Sequence, residues 1–137
     1  MYRTSPQPLL LEKIIAVLTY LSAGAIGFIW IILAVFTHNE LRPFLRYHVY
    51  QSIFLAIIYF LISTFIGLLM SILSFIPIIK NIVGNIGFFL SMPVIGHFSI
   101  IGLIILGILL YLTIKAAQGK YSYIPWVSDV INYNVQR

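Results

Sequence analysis

Two stretches without a charged side chain constrain this chain more than anything else in it. They run from Tyr47 to Ile79, 33 residues, and from Asn81 to Ile114, 34 residues. About 18 consecutive apolar residues already read as a membrane-crossing helix, and each run is nearly twice that. The whole chain is 61% hydrophobic and only 8% charged, with a mean hydropathy of +1.06. A soluble domain carries roughly 25% charged residues, so there is too little polar surface here to coat a water-exposed globule. The expected fold is therefore all-α: an integral membrane helical bundle with three or four transmembrane helices, one of them amphipathic or re-entrant. Residues 1–137 read as a single integral membrane domain, with spans at about 14–36, 47–76 and 95–115 and an amphipathic or short span at 78–93. The flanks Met1–Lys13 and Gln118–Arg137 are too short to bury a core of their own.

Helix punctuation refines these boundaries. Ile14 to Phe36 is long enough for one tilted crossing. Lys13 in front of it and Ala23-Gly24-Ala25 inside it resemble a signal peptide and its cleavage site. The apolar run continues to Phe36, however, so a retained span is expected. After the polar loop Thr37–Arg42, Pro43 suits a first helical position, where a missing N–H costs nothing. A helix from Pro43 to Ile76 would measure ~50 Å against a hydrocarbon core of ~30 Å, so its first turns should lie at the interface. Pro77 ends or kinks it. Over Ile78–Leu90 the apolar residues Ile78, Ile79, Ile82, Val83, Ile86, Phe89 and Leu90 recur on one side. Lys80, Asn81, Gly84 and Asn85 fall on the other, the pattern of an interfacial or re-entrant helix. The last span ends with Lys115 in its final turn and Gly119 placed as its cap.

Charge counts leave two topologies open. With three crossings, Arg42, Arg46, Lys115, Lys120 and Arg137 share a side against Arg3, Lys13 and Lys80. With four, Arg3, Lys13, Lys80, Lys115, Lys120 and Arg137 stand against Arg42 and Arg46. The excess of positive charge on cytoplasmic loops slightly prefers the second count, whereas the amphipathic third segment prefers the first.

The chemistry available is sparse. There is no cysteine, which removes disulfides, thiolate metal sites and cysteine nucleophiles. The acidic residues Glu12, Glu40 and Asp129 lie near span ends or in tails, where none marks a proton or ion path. No paired carboxylates or nucleophile elbow are present, and His38, His48 and His97 are too widely spaced for a local ligand motif. No enzyme activity and no cofactor or metal is expected. The net charge of +5 flanks apolar runs, which points to lipid head groups and topology rather than nucleic acid.

Three features remain. Ser52, Ala56, Ser63, Gly67, Ser71 and Ser74 recur at steps of three, four or seven along the second helix. Small residues at that spacing let helix backbones approach closely. Packing within the chain is their expected use, ahead of a subunit interface or a substrate-facing groove. The segment Gly119–Trp126 (GKYSYIPW) carries Tyr121, Tyr123 and Trp126, amphipathic aromatics suited to a membrane boundary. Finally, Arg42–Ser52 (RPFLRYHVYQS) gathers polar chemistry at a helix start. Arg46 and Tyr50 share a face four residues apart, while His48, Gln51 and Ser52 fall on another. Arg46 can snorkel to phosphates. The His48 face would turn toward other helices, where its polar atoms need partners.

RPFLRYHVYQS resembles the Arg-aromatic-His/Asn-x-x-Gln-small signature of the Tic-twenty-like membrane protein family, at Arg46, Tyr47, His48, Gln51 and Ser52. GKYSYIPWVSDVINYNVQR resembles that family's ending, at Gly119, Lys120, Tyr121, Ile124 and Pro125, with Val135-Gln136-Arg137 similar to cyanobacterial and plastid-type members. The family includes the import subunit of the chloroplast inner-envelope translocon and bacterial relatives. That plastid subunit typically has four spans and a transit peptide. No transit peptide and no separate short apolar hairpin are read at the start of this chain, so its first span would stand for two.

The resemblance implies a multi-pass protein of a cyanobacterial-type inner membrane or plastid inner envelope that assists protein translocation or membrane-complex assembly. Its partners would be membrane lipids and either other proteins or further copies of itself, with no nucleic acid. Arg42, Arg46, His48, Gln51, Ser52, Lys120, Tyr121 and Pro125 are the expected partner or head-group contacts, and Ser52, Ala56, Ser63, Gly67 and Ser71 the expected packing positions. The alternative is a small oligomeric channel or transporter for a small solute. A lipid-binding protein, using the tail aromatics and arginines, is the third reading.

Overall fold

The structure is a computed structural model that describes residues 7–38, 40–96 and 98–135; Arg3, Asn39, His97, Gln136 and Arg137 lie outside the described residues. The described chain is helical apart from one two-stranded pair. Its helices are α1 (Leu10–Leu21), α2 (Ala25–Phe36), α3 (Pro43–Leu73), α4 (Pro77–Ser91), α5 (Ile100–Ala117) and α6 (Val127–Val135). Two of them, α3 and α5, are long and apolar enough to cross a membrane.

The first difference from the sequence reading is at Ile14–Phe36. The expected single span is two 12-residue helices, α1 and α2, that fold back on one another. Each is ~18 Å long, short of the ~30 Å hydrocarbon core. The break is a chain reversal built from local hydrogen bonds. Ala23 adopts a left-handed conformation (φ 51) and Gly24 follows with φ 90. The Gly24 N–H returns to the Thr19 carbonyl (2.8 Å) and the Ala23 N–H to Tyr20 (3.1 Å), so the last carbonyls of α1 are satisfied by a Schellman motif. Ser22 Oγ then accepts from the Ile26 N–H at 3.0 Å, satisfying an orphan donor of α2. Ala23-Gly24-Ala25, which resembles a cleavage site, is a turn. Gly27 lets the arms close, because a Cβ there would stand 2.5 Å from Thr19 Cγ2 and 3.2 Å from Val49 Cγ1. The short apolar hairpin that was not read from the sequence is thus present.

Helix α3 begins at Pro43 as expected and stops at Leu73, with Ser74–Ile76 as a bend. Pro77 takes the first position of α4, and Ile76 before it is extended (φ −90, ψ 114), the conformation a following proline imposes. The last span starts later than position 95, because Pro93–Ile95 pairs antiparallel with Phe98–Ser99 before α5 begins. At the far end of α5, Gly119 takes φ 72. Its N–H reaches the Ala116 carbonyl and that of Lys120 reaches Lys115, both at 3.0 Å. This is a second Schellman cap, at the glycine the sequence marks.

The chain divides into two compact units, residues 1–56 with 109–137, and residues 57–108. In the first, Ile15, Ala16 and Tyr20 of α1 pack with Phe44, Leu45 and Val49 of α3 and with Leu112 and Ala116 of α5. Trp30 and Ile31 of α2 lie against this cluster. Val127 and Ile131, one turn apart on α6, are also buried, a helix the sequence reading did not anticipate. The second unit is built differently: no described residue of it is buried.

Two glycines give a direct test of the hairpin. Alanine is favoured over glycine in a helix by ~1 kcal/mol. A Cβ at Gly67 meets nothing within 4 Å, whereas at Gly27 it strikes a short, buried, β-branched side chain. Gly67→Ala should leave thermal stability in detergent unchanged or raised. Gly27→Ala should lower it by the ~1–3 kcal/mol typical of overpacking.

Candidate functional site

At the head of α3 the sequence places four polar or aromatic side chains within two turns, and tertiary structure encloses them. Tyr47, His48, Gln51 and Ser52 are all buried. In an apolar surrounding, each polar atom must find a partner inside the protein. Three segments supply them: α1, the 118–126 stretch and α6.

Gln51 is the centre. Its Oε1 accepts from Tyr20 Oη at 2.7 Å and from Ser122 Oγ at 2.6 Å. Its Nε2 donates to Ser128 Oγ at 3.1 Å. Tyr20 Oη also lies 2.8 Å from His48 Nδ1. A phenol has one proton; with that proton on Gln51, the tautomer of His48 that fits has its hydrogen on Nδ1. Tyr47 Oη donates to the Ser122 carbonyl, and Ser128 Oγ accepts the Ile124 N–H at 2.8 Å. One turn along α3, Ser52 Oγ donates to the Thr19 carbonyl at 3.1 Å, the same oxygen that closes the α1 turn. His48 Nε2 has no hydrogen-bond partner of good geometry among the described residues, although the Lys120 backbone lies within electrostatic reach.

Aromatic rings surround the imidazole. Phe44 packs on it edgewise with centroids 4.5 Å apart, Tyr20 and Tyr47 meet it at 5.7 and 5.5 Å, and Tyr121 stacks parallel at 6.1 Å. Such pairs contribute ~0.5–1.5 kcal/mol each beyond the area they bury. The Tyr121 phenol is pushed above its ordinary pKa by burial and then by the Glu12 carboxylate, so it remains neutral at ordinary pH.

The charged residues form the edge of this assembly. Glu12 is buried; its Oε2 accepts the Leu9 N–H at 2.8 Å and its Oε1 pairs with Arg42 Nη1 at 3.1 Å. The Leu9 contact satisfies an N-terminal donor of α1, and the carboxylate lies at the positive end of that helix. A small cavity of about 80 Å³ opens here, lined by Pro8, Glu12, Arg42, Phe44, Gly119 and Tyr121 among others. Arg46 lies over the Tyr50 ring at 5.7 Å, as their shared helix face predicts.

The sequence-predicted residues thus separate into groups. Lys120, Tyr121 and Pro125 are exposed, and Arg42 and Arg46 are half-exposed; all five remain open to contact. His48, Gln51 and Ser52, expected at a partner or head-group surface, are enclosed and bonded to their own chain, which corrects that assignment. Ser52 reaches across to the Thr19 carbonyl of α1. Ala56 is half-buried, while Ser63, Gly67 and Ser71 are exposed, so among the described residues those three do not make the enclosed contact within the chain that was expected of them. Sequence reasoning missed Thr19, Tyr20, Ser122 and Ser128. The signal for Tyr20 was a hydroxyl placed inside an apolar run, where it needs a partner.

The network can be dissected by mutation. Gln51→Leu orphans Ser122 Oγ and takes one hydrogen bond each from Tyr20 and Ser128, and Tyr20→Phe orphans His48 Nδ1 and takes one bond from Gln51. Each orphaned buried group costs ~1–3 kcal/mol. The double variant should lose less stability than the sum of the singles, because removing both partners leaves fewer unpaired atoms. Thermal unfolding of the three variants in detergent measures this. No family model, curated protein or solved structure matches the chain.

Proposed function

We propose that this chain is a non-enzymatic integral membrane protein of the Tic-twenty-like kind, whose polar network is a structural latch and whose work is done through partners. The observation that carries this reading is the convergence of the two resembling stretches. Tyr47 and Gln51 of the first bond directly to Ser122 and Ser128 of the second, across more than 70 residues of chain. Residues that share a motif because they hold one another need no substrate to explain them. Their polar atoms are spent on each other rather than lining an opening, which favours a positioning role over a solute path.

The membrane reading is supported by exposure. The most apolar window of α3 is 0% buried and that of α5 is 11% buried. The core helix of a soluble protein would be largely enclosed, and a long, bare, uncharged helix is stable only in an apolar medium.

Contacts within the latch then limit the topology. Tyr47, near the start of α3, touches Ser122, just past the end of α5, so an even number of crossings separates them. Crossing by α3 and α5 satisfies that count, and α4 crosses nothing. Glu12 and Arg42 likewise touch, and neither arm of the α1–α2 hairpin is long enough to cross. The reading is therefore two full crossings and a half-inserted hairpin, in place of three or four spans. Among the described residues, Lys13, Arg42, Arg46, Lys115 and Lys120 fall on the latch side, and Lys80 alone on the other. That five-to-one excess supports a latch on the cytoplasmic face, or its plastid equivalent, by the positive-inside rule. A cyanobacterial-type inner membrane or plastid inner envelope is the location this implies, and assistance to protein translocation or membrane-complex assembly is the role.

A second reading, a small oligomeric channel or transporter for a neutral solute, draws on the outward row Ser63, Gly67 and Ser71, whose spacing suits a close helix–helix approach. Affinity purification of the tagged protein in mild detergent separates the two. The first reading expects a reproducible, different protein to co-purify and to survive Gly67→Leu. Recovery of a self-oligomer alone, with solute flux in liposomes that Gly67→Leu abolishes, would favour the second.

A further inference from the structure

Helix α4 is the apolar element that neither the latch nor the crossings account for. Projected at 100° per residue, its side chains form three rows. Ile79, Val83 and Leu90 are half-buried. Ile78, Ile82, Ile86 and Phe89 are all exposed. Lys80, Asn81, Gly84 and Asn85 make the polar side, which the exposed Phe88 interrupts one turn further on, and, with Ser74 and Val83, they line an open cleft of about 580 Å³. An exposed apolar row beside a polar cleft needs two different surroundings within one helix diameter.

The bilayer surface provides both. At 15 residues α4 is ~22 Å long, too short to cross ~30 Å of hydrocarbon. Three residues join it to α3, and Met92–Ser99 joins it to α5; both neighbours are apolar enough to cross a membrane. Such short tethers keep it at the boundary where those helices emerge. Lys80 is the one charged residue between Arg46 and Lys115, so the polar side is cationic and complements lipid phosphate.

We propose that α4 is an in-plane anchor in the surface of the membrane that α3 and α5 cross. Its Ile78–Ile82–Ile86–Phe89 row lies among acyl chains, and its Lys80 cleft faces the phosphates of anionic phospholipid. This inference rests on the two-crossing reading above. An interfacial helix of this kind binds through its buried apolar row and through attraction to anionic lipid.

The chain has no cysteine, so single-cysteine variants report one position each. Asn81→Cys, Ile82→Cys and Lys120→Cys, at exposed positions, are placed in vesicles of phosphatidylcholine with or without phosphatidylglycerol and labelled with an environment-sensitive fluorophore. The Ile82 label should be quenched by lipids spin-labelled near the head group, and less by lipids labelled near the chain end. The Asn81 label should stay in water, on the vesicle side opposite Lys120. Labelled phosphatidylglycerol should be enriched about five-fold near position 81 relative to the Lys80→Gln background, the factor expected for one lysine at an anionic surface. Equal depth at positions 81 and 82 in water overturns the anchor and leaves the two-crossing reading intact if Asn81 and Lys120 remain on opposite sides; both positions at the bilayer centre overturn the anchor and that reading together. Labelling of both from one side overturns that reading and the anchor with it.

Discussion

A polar atom shut inside an apolar surrounding must be bonded within the protein, and the first compact unit is organised around that requirement. Gln51 has two lone pairs and two N–H groups to satisfy, and the neighbours that satisfy them come from α1, from the stretch after α5 and from α6. Because those neighbours are far apart in the chain, satisfying one glutamine brings three segments to the head of α3. Buried polar networks raise the stakes of packing: complete they specify one arrangement, and incomplete they destabilise. This one is complete except at His48 Nε2, which sits among aromatic rings within reach of the Lys120 backbone.

The hairpin depends on the same network. Reversing the chain at Ser22–Gly24 uses the Thr19 carbonyl as an acceptor for the Gly24 N–H, and Ser52 of α3 donates to that oxygen as well. The turn is thus held both locally and from across the unit. Gly27 completes it by letting α2 approach Thr19 and Val49 more closely than any side chain permits. At the other end of α1, Glu12 holds the Leu9 N–H and Arg42 at once, so both ends of one short helix are pinned to the flanks of α3.

Residues 57–108 follow a different logic. No described side chain among them is enclosed. Such a segment takes its stability from a surrounding medium and not from a core of its own. In water an apolar surface of this extent would drive association; in a bilayer it is the ordinary outer face of a span.

Much of this was legible residue by residue. Composition and run length determine that the chain is helical and apolar. Pro43 and Pro77 mark helix starts, Gly119 marks a helix end, and the 78–90 pattern marks an amphipathic helix, because each is a local constraint on φ, on a missing N–H or on spacing. The separation of Arg46 and Tyr50 from His48, Gln51 and Ser52 was likewise plain from helical geometry. What the tertiary structure alone decided is where those three residues point and what they meet. The break in the first apolar run also lay beyond local reading. Ala23 is not a residue that announces a left-handed turn, and the contacts that favour the reversal, Thr19 with Gly27 and Ser52, join separate elements. Ser122 and Ser128 look unremarkable in sequence, and Tyr20 signals only that it needs some partner, for the same reason: a hydrogen bond between residues 28 to 81 positions apart leaves no periodicity to detect. Local steric rules set the elements, and the cost of an unpaired buried polar atom chose how they assemble.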